Sequence, residues 1–235
     1  MNRIRKAVIL SAGSGTRMGE LTHDTPKVML KLAGKPLLQY HIDLMKEHGV
    51  SEICVNLHYL PEKIKTFLGD GKKFGVRIHY HYEPELLGTA GALQAFKDIL
   101  TEDFFIIYGD VVGIVNIDQW VEFHQAKNAD ATSIIHYSNH PEDRDIVQIN
   151  KDSKIVNFFH KPGHRSFGVM TAAAWHIMTR RIFDYLPLGN SDLAGDILPQ
   201  MQKSGLRIYG YHTEEFLMDA GTPERFKETE SHFLR

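Results

Sequence analysis

Ten residues near the N-terminus carry the densest chemistry in this chain. They run Leu10-Ser11-Ala12-Gly13-Ser14-Gly15-Thr16-Arg17-Met18-Gly19, directly after the apolar residues 7–10, and Pro26-Lys27 follows. A strand that opens into a glycine-rich loop bearing an arginine and then a lysine suits an anionic ligand. Without Cβ atoms the backbone N–H groups can approach phosphate oxygens closely. Arg17 supplies a planar fork and Lys27 a compact point charge. Two familiar phosphate loops are excluded by spacing. A Walker A loop needs Gly-Lys-Ser/Thr after four intervening residues from its first glycine, and none occurs here. A dinucleotide loop needs a third glycine where Met18 stands, and it opens straight into a helix, which Thr25-Pro26 disfavours. Its second strand would also end in an acidic residue, whereas this one ends Asn56-Leu57-His58.

Two aspartates form the second candidate set. Asp110 ends Tyr108-Gly109-Asp110, and Asp219 lies in Phe216-Leu217-Met218-Asp219-Ala220-Gly221-Thr222-Pro223; each follows an apolar run. Carboxylates far apart in sequence but both at strand ends can meet around one Mg²⁺, a hard ion that prefers oxygen. Taken singly, each could equally be a turn former or helix cap. The 14 histidines contain no recognisable zinc set: His79 and His81 share a strand face, and His160 and His164 flank a Pro-Gly turn.

The elements that must hold these groups alternate. A strand at 7–10 is followed by a helix opened at Pro36, with Leu38, Ile42 and Met45 at i, i+4 and i+7, and closed at Gly49. Strands at 52–57, 76–82 and 104–108 are separated by helices at about 61–69 and 89–100. This repetition predicts an α/β fold with a doubly wound, mostly parallel sheet, in which ligands sit at the carboxyl ends of strands. The Gly13 loop and Asp110 both fall at such ends. Beyond Asp110 come a helix at 117–128, with Ile117, Trp120 and Val121 on its core face, then β-rich runs at 131–137, 146–149 and 154–159. Helices at 180–186 and 193–203, a strand at 206–211 and a helix from Pro223 complete the series.

Length and composition fit one such domain. The 235 residues are 43% hydrophobic, enough for a substantial core. With 27 basic and 29 acidic residues the net charge is −2, so nothing draws nucleic acid globally and any phosphate attraction is local. No apolar run suits a membrane span or a signal peptide, which points to a cytoplasmic enzyme. The single cysteine, Cys54, lies in an apolar strand and reads as a buried structural thiol.

Gly13-Ser14-Gly15-Thr16-Arg17-Met18 with Pro26-Lys27 resembles the signature loop of the sugar-1-phosphate nucleotidyltransferases. The Asp110 and Asp219 segments resemble that family's two metal-binding aspartate motifs. The resemblance runs from Ala7 to about Phe226 in the expected order. It implies a Rossmann-like nucleotidyltransferase fold with a small β-rich sugar-binding lobe. Residues 1–235 would form one domain, with a nucleotide-binding half at 1–115, an acceptor-binding half at 116–235 and no C-terminal β-helix. It also implies that a nucleoside triphosphate and a phosphorylated small-molecule acceptor react with Mg²⁺ as cofactor, releasing pyrophosphate.

By the same resemblance Arg17 and Lys27 are catalytic, and Leu10, Ala12, Gly13, Ser14, Gly15 and Thr16 cradle the nucleotide. Gly88 and Thr89, in Leu87-Gly88-Thr89-Ala90-Gly91-Ala92, read the base; the segment alone would pass for a glycine-containing helix start. Lys161, in Lys161-Pro162, approaches the acceptor phosphate, and Asp110 and Asp219 hold the metal. The segment His140-Pro141-Glu142-Asp143-Arg144-Asp145-Ile146-Val147 resembles D-glycero-D-manno-heptose 1-phosphate guanylyltransferase-like members, favouring GTP with a heptose- or mannose-type 1-phosphate. Two positions depart from the family: His160 replaces Glu before Lys-Pro, and Ala172 replaces a common Asn. Transfer of uridylyl to an N-acetylmuramate-type 1-phosphate or of cytidylyl to phosphocholine stays open. So do a non-catalytic nucleotide-sugar-binding subunit and self-association into a homo-oligomer.

Overall fold

The computed structural model describes residues 3–137, 144–160 and 170–234. The chain begins with β1 (Lys6–Leu10), the short strands β2 (Lys31–Leu32) and β3 (Lys35–Pro36), α1 (Leu37–Glu47) and β4 (Glu52–Leu57). Then come α2 (Pro61–Leu68), β5 (Arg77–Tyr82), α3 (Gly88–Gly91), β6 (Phe104–Tyr108), β7 (Val111–Gly113) and α4 (Ile117–Ala126). After these lie β8 (Ala131–Tyr137), β9 (Ile146–Ile149), β10 (Ile155–Phe159), β11 (Met170–Met178) and α5 (Leu198–Lys203). The series closes with β12 (Ile208–His212), β13 (Leu217–Asp219) and α6 (Pro223–Phe233). The chain forms two compact units.

The first unit comprises Arg3–Leu86, Ile107–Ile114 and the chain from Phe216 onward. Its strands β1, β4 and β5 run parallel, with Ala7 beside Ile53 and Ile53 beside Ile78. Ala7, Val8, Ile9, Ile53, Cys54 and Val55 are buried in unbroken runs, as strands covered on both faces require. Burial pushes the Cys54 thiol up to about 12, so it is an inert packing group. Helix α1 buries Leu37, Leu38, Ile42 and Met45, the predicted stripe with its neighbour, each worth about 1.5–3 kcal/mol of hydrophobic stabilisation. A second apolar cluster of Leu32, Leu37, Val112 and Ala220, with Tyr40, Phe226 and Phe233 against it, underlies the β7 and β13 pair.

The second unit comprises Leu87–Ile106 and Val115–Glu215 in its described parts. Antiparallel pairings dominate it: β8 with β11 and β9 with β10, while β12 joins β8 in parallel. Strand β11 is not evident in the sequence, because Ala172-Ala173-Ala174 lacks the β-branched residues that signal a strand. The predicted helix at 89–100 is instead the single turn α3 followed by a tighter 3-10 stretch at Ala92–Phe96. Here the backbone of 88–91 packs directly on that of 189–191. Ala90 N–H donates to the Ser191 carbonyl at 3.0 Å, and a Cβ on Gly91 would lie 2.1 Å from the Gly189 oxygen. The helix predicted at 193–203 begins as a wider turn at Leu193–Ile197, capped by Asp192, before becoming α5.

Candidate functional site

In the first unit Pro26 sets up a single helical turn, Lys27–Met29, closed by Met29 N–H donating to the Pro26 carbonyl at 2.8 Å. That turn buries Lys27, whose ammonium pairs with the Asp110 carboxylate. The Gly13 loop is folded back onto the same lysine. Thr22 Oγ1 donates to the Gly15 carbonyl at 2.9 Å, and Gly15, at φ 69°, sits against the Lys27 Cβ. Arg17 follows on the exposed side of the loop.

A short antiparallel pair then brings the two aspartates onto adjacent strand ends. Asp219 on β13 registers with Val111 on β7, and Ala220 N–H donates to the Asp110 carbonyl at 2.8 Å. The apolar run before Asp219 marks β13, but β7 leaves no sign in the sequence, since three residues are too few to show periodicity. Asp219 Oδ2 accepts a hydrogen bond from Arg225 Nη1 at 3.1 Å, while Oδ1 is buried with no hydrogen-bond partner among the described residues. Gly221 keeps that oxygen open, because a Cβ there would stand 2.3 Å from Oδ1 and 3.3 Å from Arg17 Nη2. An ionised oxygen left bare in a partly buried site is costly, and a hard cation is the partner that suits it. Asp110 and Asp219 thus fit a divalent metal, and Arg17 reaches the same spot.

Two buried polar devices stiffen this edge. Gly109 N–H donates to the Leu10 carbonyl at 3.0 Å, and its own carbonyl accepts from His41 Nε2 at 3.1 Å. Burial lowers the His41 pKa to about 4, so the imidazole is neutral and its proton lies on Nε2 to serve the carbonyl. The N–H of Ser11, where the loop begins, donates to Asn56 Oδ1 at 2.7 Å, and Asn56 Nδ2 donates to the buried Glu83 carboxylate at 2.7 Å. Asn56 stands where a dinucleotide fold ends its second strand, and here it braces the loop instead.

The first unit therefore gathers Arg17, Lys27, Asp110, Asp219 and the loop from Leu10 and Ala12 through Thr16. Gly88 and Thr89 belong to the second unit, where the Thr89 hydroxyl donates to Asp192 Oδ2 at 2.9 Å and accepts from Leu193 N–H at 2.8 Å. His160 in that unit pairs through Nδ1 with Asp145 at 2.8 Å. Lys161 and residues 140–143 lie outside the described residues. Sequence reasoning missed Arg225, His41 and the Asn56–Glu83 pair. Arg225 follows the Asp219 motif by only a few residues, yet nothing in its local pattern separates it from a solvated helix cation.

A model of the nucleotidyl transferase family matches residues 6–235. The chain belongs to that family. Proteins of the family generally use a divalent metal. A UTP–glucose-1-phosphate uridylyltransferase from Synechocystis is 31% identical over 92% of this chain and 60% of its own length. A mannose-1-phosphate guanyltransferase from Gibberella zeae is 29% identical over 94% of this chain and 62% of its own. The chain thus spans about 60% of the length of the curated relatives it matches. Among solved structures, HddC from Yersinia pseudotuberculosis superposes with a TM-score of 0.81 at 23% identity, covering 98% of this chain and all of that one. That likeness confirms the fold, a mixed α/β architecture with a parallel core. No helix among the described residues is long and apolar enough to cross a membrane.

Proposed function

We propose that this protein transfers a nucleotidyl group from a nucleoside triphosphate to a sugar 1-phosphate, using Mg²⁺ and releasing pyrophosphate. One observation carries the reading. A buried lysine and an exposed arginine stand beside two strand-end aspartates, one with a bare carboxylate oxygen, at the mouth of a glycine-rich loop. Both reactants are anions, so the work is charge neutralisation and alignment. A phosphate oxygen of the sugar attacks the α-phosphorus, its bond to the bridging oxygen breaks, and that oxygen leaves on pyrophosphate. The attacking oxygen is already ionised at neutral pH, so no general base is required.

Amides of Gly13, Ser14, Gly15 and Thr16 hold the triphosphate. Arg17, on the exposed side of the loop, takes charge building on the leaving β- and γ-phosphates. Lys27, with three N–H donors, keeps one on Asp110 and turns others toward the α-phosphate. Asp110 and Asp219 would hold the Mg²⁺, which when bound screens the repulsion between phosphates of the two substrates.

For the donor and acceptor, GTP with a mannose- or heptose-type 1-phosphate is the leading pair, supported by the guanyltransferase relatives. UTP with glucose 1-phosphate is the second reading, favoured by the Synechocystis relative. The test is pyrophosphate release with Mg²⁺, crossing GTP, UTP, CTP, dTTP and ATP with a panel of sugar 1-phosphates and phosphocholine. Selective release with one pair establishes the reaction and names both substrates. Nucleotide binding without release across the panel refutes it in favour of a binding subunit.

A further inference from the structure

Among the described residues Arg225 is a cation at this site that no motif accounts for. It lies in the first turn of α6, and its backbone is held at both ends. Its N–H donates to the capping Thr222 Oγ1 at 3.3 Å, and its carbonyl accepts from Thr229 Oγ1 at 2.7 Å. Its side chain and that of Asp219 are both largely buried, at 21% and 18% exposed, so the 3.1 Å bond between them is shielded from competing water. Such charge-assisted bonds are about twice as strong as neutral ones.

A free carboxylate would rotate and interchange its two oxygens. Here the guanidinium ties Oδ2 and so restrains the rotation, while Oδ1 sits bare over the space that Gly221 leaves open. We propose that Arg225 is a positioning residue for Asp219, binding Oδ2 so that Oδ1 alone is presented to the divalent cation. The inference rests on the reading of Asp219 as a metal ligand. Two effects oppose each other in it. Orientation by a hydrogen-bonded partner strengthens metal binding, and its loss typically costs 10–100-fold in affinity or activity. The guanidinium charge repels a dication, and removing it would tighten binding. Orientation prevails because the guanidinium lies on Oδ2, the oxygen turned away from the cation, and leaves the buried Oδ1 unserved.

The test titrates Mn²⁺ alone into the full chain and reads water-proton relaxation enhancement, with folding checked by circular dichroism. Asp219→Asn should abolish the enhancement. Arg225→Met should weaken Mn²⁺ binding about tenfold, and Arg225→Lys, which keeps a charged donor, should recover most of the loss. Arg225→Gln, a neutral amide donor on a shorter stem, takes the place of Met if that variant does not fold. Arg225→Met binding Mn²⁺ as tightly as the unsubstituted chain, or more tightly, while Asp219→Asn abolishes binding, would overturn the role of Arg225 and leave the metal reading standing. Unchanged binding by Asp219→Asn would overturn the metal reading and this inference with it.

Discussion

Substituting Gly109 with alanine should damage both the fold and the reaction, although Gly109 is none of the charged residues. A Cβ at this position would lie 2.7 Å from Val28 Cγ1 and 2.8 Å from the Leu10 carbonyl oxygen. Ordinary contact begins near about 3.4 Å, so each neighbour would have to yield roughly 0.6–0.7 Å. Neither yields cheaply. Leu10 ends β1 and accepts the Gly109 N–H, and Val28 sits in the turn that buries Lys27. Overpacking of this kind costs typically about 1–3 kcal/mol. In a chain of this size that lowers the thermal midpoint by roughly 4–8 °C, taking 2 kcal/mol as the working figure.

The displaced atoms adjoin Lys27 on one side and Asp110 on the other, so kcat should fall at least about tenfold through misalignment. Gly13→Ala is the matched control. Nothing stands within 4 Å of its added Cβ, so stability should hold while KM for the triphosphate rises as the methyl intrudes on the phosphate cradle. The assays are thermal denaturation followed by circular dichroism and initial rates of pyrophosphate release. A Gly109→Ala protein with the native midpoint and native kcat would refute the reasoning, since the two contacts could then not be as tight as drawn.

Asp110→Ala leaves the buried Lys27 ammonium without its carboxylate, and should abolish metal-dependent turnover with a stability loss of about 1–3 kcal/mol in urea melts, since Asp110 itself is only part-buried. Asn56→Leu removes the acceptor for Ser11 N–H and one donor to the buried Glu83, so KM for the nucleotide should rise several-fold; an unchanged KM would dissociate the brace from the loop. Burial also lowers the pKa of His176 to about 4, and Ser133 Oγ lies 2.8 Å from its Nδ1. Unfolded, that imidazole titrates near 6.5 and takes up protons the folded form refuses. Its contribution is therefore full above pH 6.5 and is lost as pH falls toward 4, by up to about 3 kcal/mol. Buried His41 adds a slope of the same sign and origin, so urea midpoints between pH 7 and 4.5 should show both, and His176→Asn should remove about half of the slope.

How far the site could be read in advance depends on what kind of pattern each part leaves in the chain. Strand β4 matches its predicted bounds because Ile53, Cys54 and Val55 form an apolar run closed by Asn56-Leu57, and α1 matches because its apolar residues keep a helical period. Arg17 and Lys27 were legible as cations of a phosphate loop, and Asp110 and Asp219 as carboxylates at strand ends. That the two aspartates could meet was also expected, but the means of it was not, since it depends on β7 and β13, three residues each, paired across a separation of more than 100 positions. Strand β11 escaped for the opposite reason: it is nine residues long, but its alanines leave no β signature.

The supporting groups left least trace of all. His41 sits inside an ordinary helix, Asn56 ends an ordinary strand and Arg225 looks like any cation on a polar helix, yet each meets its partner only through the fold. A motif records the atoms that touch a ligand, because chemistry restricts their type and spacing. A brace needs only a donor or acceptor within about 3 Å, and many residue types at many positions can supply one. Gly221 joins the two classes: it lies inside a recognisable motif, but its reason for being glycine is the bare Asp219 oxygen 2.3 Å from where its Cβ would be. Gly221→Ala should therefore mimic loss of the metal ligand rather than loss of the loop, weakening Mn²⁺ binding while triphosphate binding without metal persists. Equal weakening of both would mean that Gly221 serves the backbone turn and not the carboxylate.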